Sequence, residues 1–369
     1  MTTRKGPIVI AAGGTGGHLF PGQALGQELT RRGHAIAVIT DDRVAGVRQR
    51  FPDIEVFSVP SATPSGGGVL GMARAVVPIL RGVMMSRKIL RRLDARAVIG
   101  FGGYPTLPPL FAATMLGIPS AVHEQNAVLG RVNRLMGPRV TAIASTFDTP
   151  KYLSDTDAAK LTLTGNPVRD QIISVADTPY APSGEGAPFT LLVFGGSQGA
   201  RVMSDIVPAA VARLAADLRA RLKVVQQARP EDVDRVRGAY QTADVDCEVA
   251  AFFEDMHARL ASAQLVVARS GASTVTELAV IGRPSFLVPL PHAIDQDQLA
   301  NAQVLSDAHG AWLMPQKDFT PERVATQLSK LMTAPDQLVS AAQCAKSVAR
   351  PDAAQRLADL VEALASGSM

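Results

Sequence analysis

Two stretches of this chain pass from an unbroken apolar run into a glycine-dense turn and then into a helical pattern, and this succession constrains the fold more than any other feature. The first reads Ile8-Val9-Ile10-Ala11-Ala12-Gly13-Gly14-Thr15-Gly16-Gly17-His18 and continues through Phe20-Pro21-Gly22. The second runs from Phe189 to Phe194 and then into Gly195-Gly196-Ser197-Gln198-Gly199-Ala200. Apolar strands without alternation, each feeding a turn and a helix, belong to parallel sheets covered on both faces. The pattern predicts an α/β chain of two doubly wound, Rossmann-like domains facing each other across a cleft, with both glycine turns directed into it. Glycine in such a turn allows positive φ and lets backbone N–H groups approach an anion or a sugar oxygen closely.

Further strands are expected at 35–40, 97–100, 120–122, 142–144 and 161–164, then at 222–226, 245–249, 264–268 and 284–289. Residues 178–188 hold three prolines, two glycines and a serine, the composition of a linker. We therefore expect a first domain over 1–170, a linker over 171–188, a second domain over 189–345, and a segment 346–369 whose last helix, near 352–365, crosses back to the first domain. A chain of 369 residues can bury two cores. Cys247 and Cys344 are the only cysteines, which excludes a disulfide framework and a multi-cysteine zinc site and points to a reducing compartment. The opening residues lead into the first strand without an apolar leader, so a cytosolic location is expected.

Charge divides unevenly. Residues 1–168 hold 19 Lys and Arg against 10 Asp and Glu, and the remainder hold 18 against 23. A basic half suits nucleic acid, anionic lipid or a phosphorylated substrate. Aromatics make up only 5% of the chain and no nucleic-acid module is visible, so nucleic acid fits poorly and is not expected as a partner. From Val69 to Leu93, apolar residues including Val77, Leu80 and Met84 alternate with Arg74, Arg81, Arg87, Lys88, Arg91 and Arg92, and no acid intervenes. The arginines and Pro78 argue against a spanning helix. Two readings fit: a helix lying in the interface of an anionic membrane, or an amphipathic helix packed on the sheet with solvated arginines.

Several stretches are candidates for chemistry. His18 can take a proton near neutral pH and stands at a helix start, which makes it the first candidate base; a helix cap is the alternative. Leu19 occupies the place of the third glycine of the dinucleotide fingerprint, which Asp41 and Asp42 only partly restore, and no phosphate-binding P-loop follows, so a nicotinamide dehydrogenase fits poorly. Gly102-Gly103-Tyr104-Pro105 forms a second glycine turn at the same sheet edge. His123-Glu124-Gln125-Asn126 places four polar residues at the carboxyl end of a strand, where open α/β sheets bind ligands, although a buried, satisfied imidazole is the more common fate of a residue such as His123. Residues 269–277, Arg269-Ser270-Gly271-Ala272-Ser273-Thr274-Val275-Thr276-Glu277, turn into a helix whose free N–H groups suit a diphosphate, with Glu277 placed for ribose hydroxyls. The alternative there is a serine cap with Glu277 as a first-turn acid. Pro291-His292-Ala293-Ile294-Asp295-Gln296-Asp297-Gln298 suits sugar hydroxyls.

Together these stretches, with Gly165-Asn166-Pro167-Val168-Arg169, resemble the bacterial family 28 glycosyltransferases that add N-acetylglucosamine to undecaprenyl-diphosphate-linked muramyl-pentapeptide in peptidoglycan synthesis. The resemblance covers nearly the whole chain. It implies the GT-B architecture, with UDP-N-acetylglucosamine bound chiefly by the second domain and the lipid-linked acceptor by the first. It implies that Ser197, Phe253, Ala272, Ser273, Thr274, Val275, Thr276 and Glu277 hold the nucleotide, and that Thr15, Gly16, Gly17, Asn126, Arg169 and Gln298 complete the donor site. The choice among Gln296, Asp297 and Gln298 for the sugar stays open. The acceptor hydroxyl would attack with inversion, with His18 as base and Glu124 as its rival or helper. No metal or other cofactor is expected, and Asp295-Gln296-Asp297 is assigned to the sugar. The resemblance further implies a peripheral enzyme on the cytoplasmic leaflet of the inner membrane, docked through Arg74, Val77, Leu80, Arg81, Met84, Arg87 and Lys88, in company with other wall-synthesis proteins. A UDP-N-acetylglucosamine 2-epimerase or a soluble-acceptor glycosyltransferase is the alternative.

Overall fold

A computed structural model describes residues 5–13, 16–42, 44–51, 53–62, 69–184, 186–196 and 199–368, with the side chains of 44, 45, 50, 69–75 and 294 left out. The chain forms two compact units, one of Met1–Arg169 with Arg350–Met369 and one of Asp170–Ala349.

Unit 1 is built on seven parallel strands: β1 (Ile8–Ala11), β2 (Ile36–Thr40), β3 (Glu55–Ser58), β4 (Ala97–Gly100), β5 (Ser120–Glu124), β6 (Ala142–Ser145) and β7 (Leu161–Leu163), in the order 3-2-1-4-5-6-7. Successive β1 residues point to opposite faces and both faces are covered, which is why the strand carries no polar position. Ile8 and Ile10 join Leu25, Leu29, Leu357 and Val361 in one core, and Val9 joins Val83, Leu90, Leu110 and Val132 in the other. Unit 2 repeats the plan with β8 (Phe189–Phe194), β9 (Leu222–Gln227), β10 (Asp246–Ala250), β11 (Leu265–Ala268), β12 (Ser285–Leu287) and β13 (Ala311–Leu313), in the order 10-9-8-11-12-13. Two doubly wound parallel sheets are thus present, as the strand pattern predicts.

β3 and β13 lie outside the sequence expectation. Both are short outermost strands, too brief to show a period. β5 also runs two residues beyond its predicted end, so His123 and Glu124 belong to the strand itself.

The helix Val69–Arg92 buries one side, including Val83, Ser86 and Leu90, and leaves Val77, Leu80 and Met84 exposed at 70%, 59% and 60%. Arg81 and Lys88 are exposed beside them, Arg87 is half-buried, and the Arg74 side chain lies outside the described residues. Among the described residues no helix is long and apolar enough to cross a membrane.

The last helix, Ala353–Ser366, belongs to unit 1. Leu357, Ala358, Val361 and Leu364 enter the core beneath β1, and Arg32 fastens the surface by donating to Glu28 at 2.8 Å, Asp359 at 2.6 Å and Glu362 at 2.7 Å. His34 Nε2 adds a 2.6 Å contact to Glu362. Truncating the fully buried Leu357 to Ala should remove about 2–5 kcal/mol of stability from unit 1. Hydrogen exchange checks this: β1 and the helix Gly16–Arg31 should lose protection while the helix Ala272–Ile281 of unit 2 keeps its own.

Candidate active site

In unit 1 the sheet reverses its winding between β1 and β4, and the crevice beyond the strand ends at such a point is where open α/β sheets bind ligands. β1 leads through Gly13 to the helix Gly16–Arg31, which carries His18 in its first turn. β4 leads to Gly102 and Gly103, with φ of 83° and 74°. Side chains rarely adopt such values, and a Cβ on either glycine would stand 3.5 Å from the His18 ring, so the imidazole rests against a bare backbone turn. Both glycines of this second turn are thus left-handed. Gly14 lies outside the described residues, and Gly13, Gly16 and Gly17 are not among the positive-φ glycines; Gly16 and Gly17 already belong to the helix, and what they offer is the absence of a side chain. Thr15 lies outside the described residues.

A chain of polar contacts leads inward from His18. Its Nδ1 lies 3.1 Å from Gln125 Oε1, and Gln125 Nε2 donates to the His123 carbonyl and to His123 Nδ1, both at 3.0 Å. His123 Nε2 in turn donates to the Gly165 carbonyl at 2.9 Å. His123 is completely buried, with Phe101 5.3 Å from its ring. Burial pushes this imidazole down to about 4; the Gly165 hydrogen bond opposes the shift and the charge of His18 assists it.

Glu124 is also buried. Its Oε1 accepts from the Asn126 N–H at 3.0 Å and from Asn126 Nδ2 at 3.2 Å; its Oε2 accepts from the Gly130 N–H at 2.7 Å and from Asn133 Nδ2 at 2.8 Å. Burial raises the pKa of the carboxyl, and these four donors pull the other way. The arrangement places Asn126 and pins the loop that follows β5. Arg169 stacks on the Phe20 ring at 4.6 Å, on the same helix as His18.

In unit 2 the winding reverses between β8 and β11. β8 ends in Gly195 and Gly196, and Gly196 and Gly199 have φ of 85° and 67°. Ser197 lies outside the described residues. β11 ends in Arg269 and Ser270, and the helix Ala272–Ile281 begins at Gly271, whose position carries no side-chain cap. Ser270 does not serve as the cap: its hydroxyl donates to the Gln298 carbonyl at 2.7 Å. Arg269 is spent on the carbonyls of Val288 and Pro289, both at 3.0 Å, and on Gln316 Oε1 at 2.6 Å. What remains at the strand end is a helix start with its dipole and first-turn N–H groups, together with the Ser273 hydroxyl, which is buried and unpartnered among the described residues. Ala272, Val275, Thr276 and Glu277 are buried, Ser273 and Thr274 half-buried, and Thr276 Oγ1 turns back to the Ala272 carbonyl at 2.8 Å. Phe253 is buried, with the Arg259 guanidinium 4.1 Å from its ring centroid. Gln298 Oε1 accepts from the Leu290 N–H at 3.0 Å. Asp295 and Gln296 hold φ of 55° and 58°, a strained backbone for residues with side chains.

Unit 1 thus sets a histidine against a glycine turn at its switch point, and unit 2 places a glycine turn and an uncapped helix start at the ends of adjacent strands, an arrangement that suits anionic ligands. Family models agree: the glycosyltransferase family 28 N-terminal domain matches residues 8–145 and the C-terminal domain matches residues 190–357. The chain belongs to glycosyltransferase family 28. It is 52% identical, over 98% of its length and 96% of the relative's, to the UDP-N-acetylglucosamine–N-acetylmuramyl-(pentapeptide) pyrophosphoryl-undecaprenol N-acetylglucosamine transferase of Chelativorans sp.. It is equally similar to the protein of that name from Methylobacterium nodulans, covering 98% and 97% of the two chains. The crystal structure of Acinetobacter baumannii MurG superposes with a TM-score of 0.79 at 28% identity, over 97% of this chain and 99% of that one. The two doubly wound units of this family 28 chain are the GT-B architecture.

Residues missed as site members are Gln125, Gly130, Asn133 and the Gly165 carbonyl. Gln125 and Gly165 stand inside stretches the sequence singles out, but their hydrogen bonds depend on tertiary neighbours.

The depressed His123 has a consequence for stability. Below the ordinary histidine range the unfolded chain takes up a proton that the folded chain refuses, so stability falls as pH drops from about 6.5 towards 4. His123→Gln should reduce the loss of unfolding free energy between pH 7.5 and pH 5 by about 2 kcal/mol relative to the parent. Urea titrations at the two pH values measure it.

Proposed function

We propose that this family 28 enzyme transfers N-acetylglucosamine from UDP-N-acetylglucosamine to the C4 hydroxyl of undecaprenyl-diphosphate-linked N-acetylmuramyl-pentapeptide. The observation that carries the reading is the 52% identity, across 98% of the chain, to relatives named for that transfer. The site geometry supports it, because the reaction needs a base at one place and an anion-stabilising surface at another.

In the transfer the acceptor oxygen forms a bond to the anomeric carbon from the side opposite the diphosphate. The bond from that carbon to the phosphate oxygen breaks, and its electron pair leaves with UDP, so configuration inverts in one displacement. The hydroxyl proton passes to His18, which we assign as the base. Glu124, engaged by four N–H donors, acts by holding Asn126 and its loop rather than by moving a proton. The helix start at Ala272–Ile281 and the turn at Gly196 and Gly199 stabilise the charge on departing UDP, and we assign no metal to the step. Phe253 and residues 272–277, with Glu277 at the ribose, hold the nucleotide, and Gln298 meets the sugar. Gly16, Gly17, Asn126 and Arg169 complete the donor site, as do Thr15 and Ser197. On this reading unit 1 binds the acceptor and unit 2 the donor.

UDP release in metal-free buffer tests the assignment. Release should depend on the lipid-linked acceptor, and His18→Ala should lower kcat by about 10²–10⁴-fold with UDP-N-acetylglucosamine binding retained. Acceptor-independent or absent release from the parent would sink the reading, and near-parental kcat in His18→Ala would remove His18 as base.

The enzyme works, on this proposal, at the cytoplasmic leaflet of the inner membrane. Val77, Leu80 and Met84 form an exposed apolar stripe on a helix that carries six cations and no acid over Val69–Arg92, a combination suited to an anionic interface. Replacing Leu80 and Met84 together by Glu should weaken co-sedimentation with phosphatidylglycerol-containing vesicles at least tenfold, since each exposed apolar side chain contributes roughly 1–2 kcal/mol on insertion. Unchanged sedimentation would place the membrane contact elsewhere.

A further inference from the structure

We infer that Gln125, itself oriented by His123, fixes the ring tautomer of His18 so that the Nε2 lone pair is the one left free to receive a proton. This goes beyond naming a base and rests on the reading of His18 as that base. The argument starts at the buried end. A carbonyl oxygen can only accept, so the 2.9 Å contact to Gly165 requires the ring proton of His123 to sit on Nε2. His123 is fully buried and held neutral, and its Nδ1 is then a lone pair that needs a donor.

Gln125 supplies that donor. Its Nε2 lies 3.0 Å from His123 Nδ1 and 3.0 Å from the His123 carbonyl, two acceptors that both demand the NH₂ end of the amide. Turning the amide round would set its oxygen against both, so its orientation is doubly determined. Oε1 must therefore be the atom that faces His18 Nδ1, at 3.1 Å. An amide oxygen has no proton to give, so Nδ1 of His18 must carry one. A neutral imidazole has a single ring proton, and Nε2 is left bare. That nitrogen stands against Gly103, where a Cβ would lie 3.5 Å from it. The opposite tautomer would bring two lone pairs together at 3.1 Å. Free imidazole has no such constraint and divides its proton between the two nitrogens.

Gln125 and His123 are thus positioning residues acting through His18. An amide in this place orients the ring without adding negative charge beside it, as a carboxylate partner would.

The full-length protein labelled with ring-¹⁵N histidine tests this by long-range ¹H–¹⁵N correlation, with the His18 signals assigned by their loss in His18→Ala. The parent at pH 8 should show His18 protonated on Nδ1 and bare on Nε2. Gln125→Met should turn His18 into a mixture of tautomers and lower kcat by roughly tenfold to a hundredfold, within what a positioned base supplies, with KM for UDP-N-acetylglucosamine within about threefold of the parent. Gln125→Glu, which keeps an acceptor towards His18, adds charge and removes the donor to His123, should move the acid limb of the pH dependence of kcat/KM upward by about one unit. A purely structural role for Gln125 would leave the His18 tautomer unchanged in Gln125→Met. A parent spectrum with His18 protonated on Nε2 would overturn the inference without recourse to any variant, as would Gln125→Met with parental tautomer and kcat. Near-parental turnover in His18→Ala would instead remove the base reading and the catalytic part of the inference, leaving the tautomer assignment to the spectrum alone.

Discussion

The hydrogen bond from His123 Nε2 to the Gly165 carbonyl, 2.9 Å long and wholly buried, sets the direction of every polar contact that leads outward from it to His18. In a low-dielectric interior each polar atom must find its complement, so one fixed acceptor propagates an order of donor and acceptor through the groups that follow. Gly165 is itself held in place from outside the sheet. Its φ is 83°, and a Cβ there would come within 2.8 Å of Arg350 Cβ and 3.0 Å of Ala353 Cβ. The segment that returns to unit 1 at the end of the chain thus presses on the residue that orients His123. Removing that segment would disturb both the core beneath β1 and the anchor of the site.

Neighbouring residues on β5 divide the work because a strand alternates its side chains. His123 on the strand and Gln125 just past its end belong to the contacts that reach His18. Glu124 points the other way and gathers four N–H donors from Asn126, Gly130 and Asn133. A buried carboxylate is expensive unless it is fully engaged, and this engagement makes the loop after β5 rigid.

Unit 2 meets a different demand with different chemistry. Arg269, the conspicuous cation at its strand end, is tied to Val288, Pro289 and Gln316, and it braces the loop after β12. On the proposed reading, anion stabilisation falls to backbone groups at an uncapped helix start and a left-handed glycine turn, which need no reorganisation when charge develops. The strained backbone at Asp295 and Gln296 lies just before the helix Asp297–Asp307 that carries Gln298.

Much of this molecule was legible in its sequence because a parallel strand covered on both faces encodes its burial locally. The bounds of β4 and β8, both glycine turns and the amphipathic helix Val69–Arg92 could be read from composition and period alone. His18 and the run His123 to Asn126 stood out as polar residues at the ends of apolar strands. Only the tertiary structure decided what these side chains do, since their partners come from other strands and loops: Gly165 for His123, Gly130 and Asn133 for Glu124, Gln125 for His18. Among the described residues the left-handed glycines of these turns are Gly102 and Gly103 after β4 and Gly196 and Gly199 after β8. Apolar periodicity is a property of a few consecutive residues and survives in the sequence. Hydrogen-bond complementarity is a property of pairs that meet only once the strand order 3-2-1-4-5-6-7 is formed.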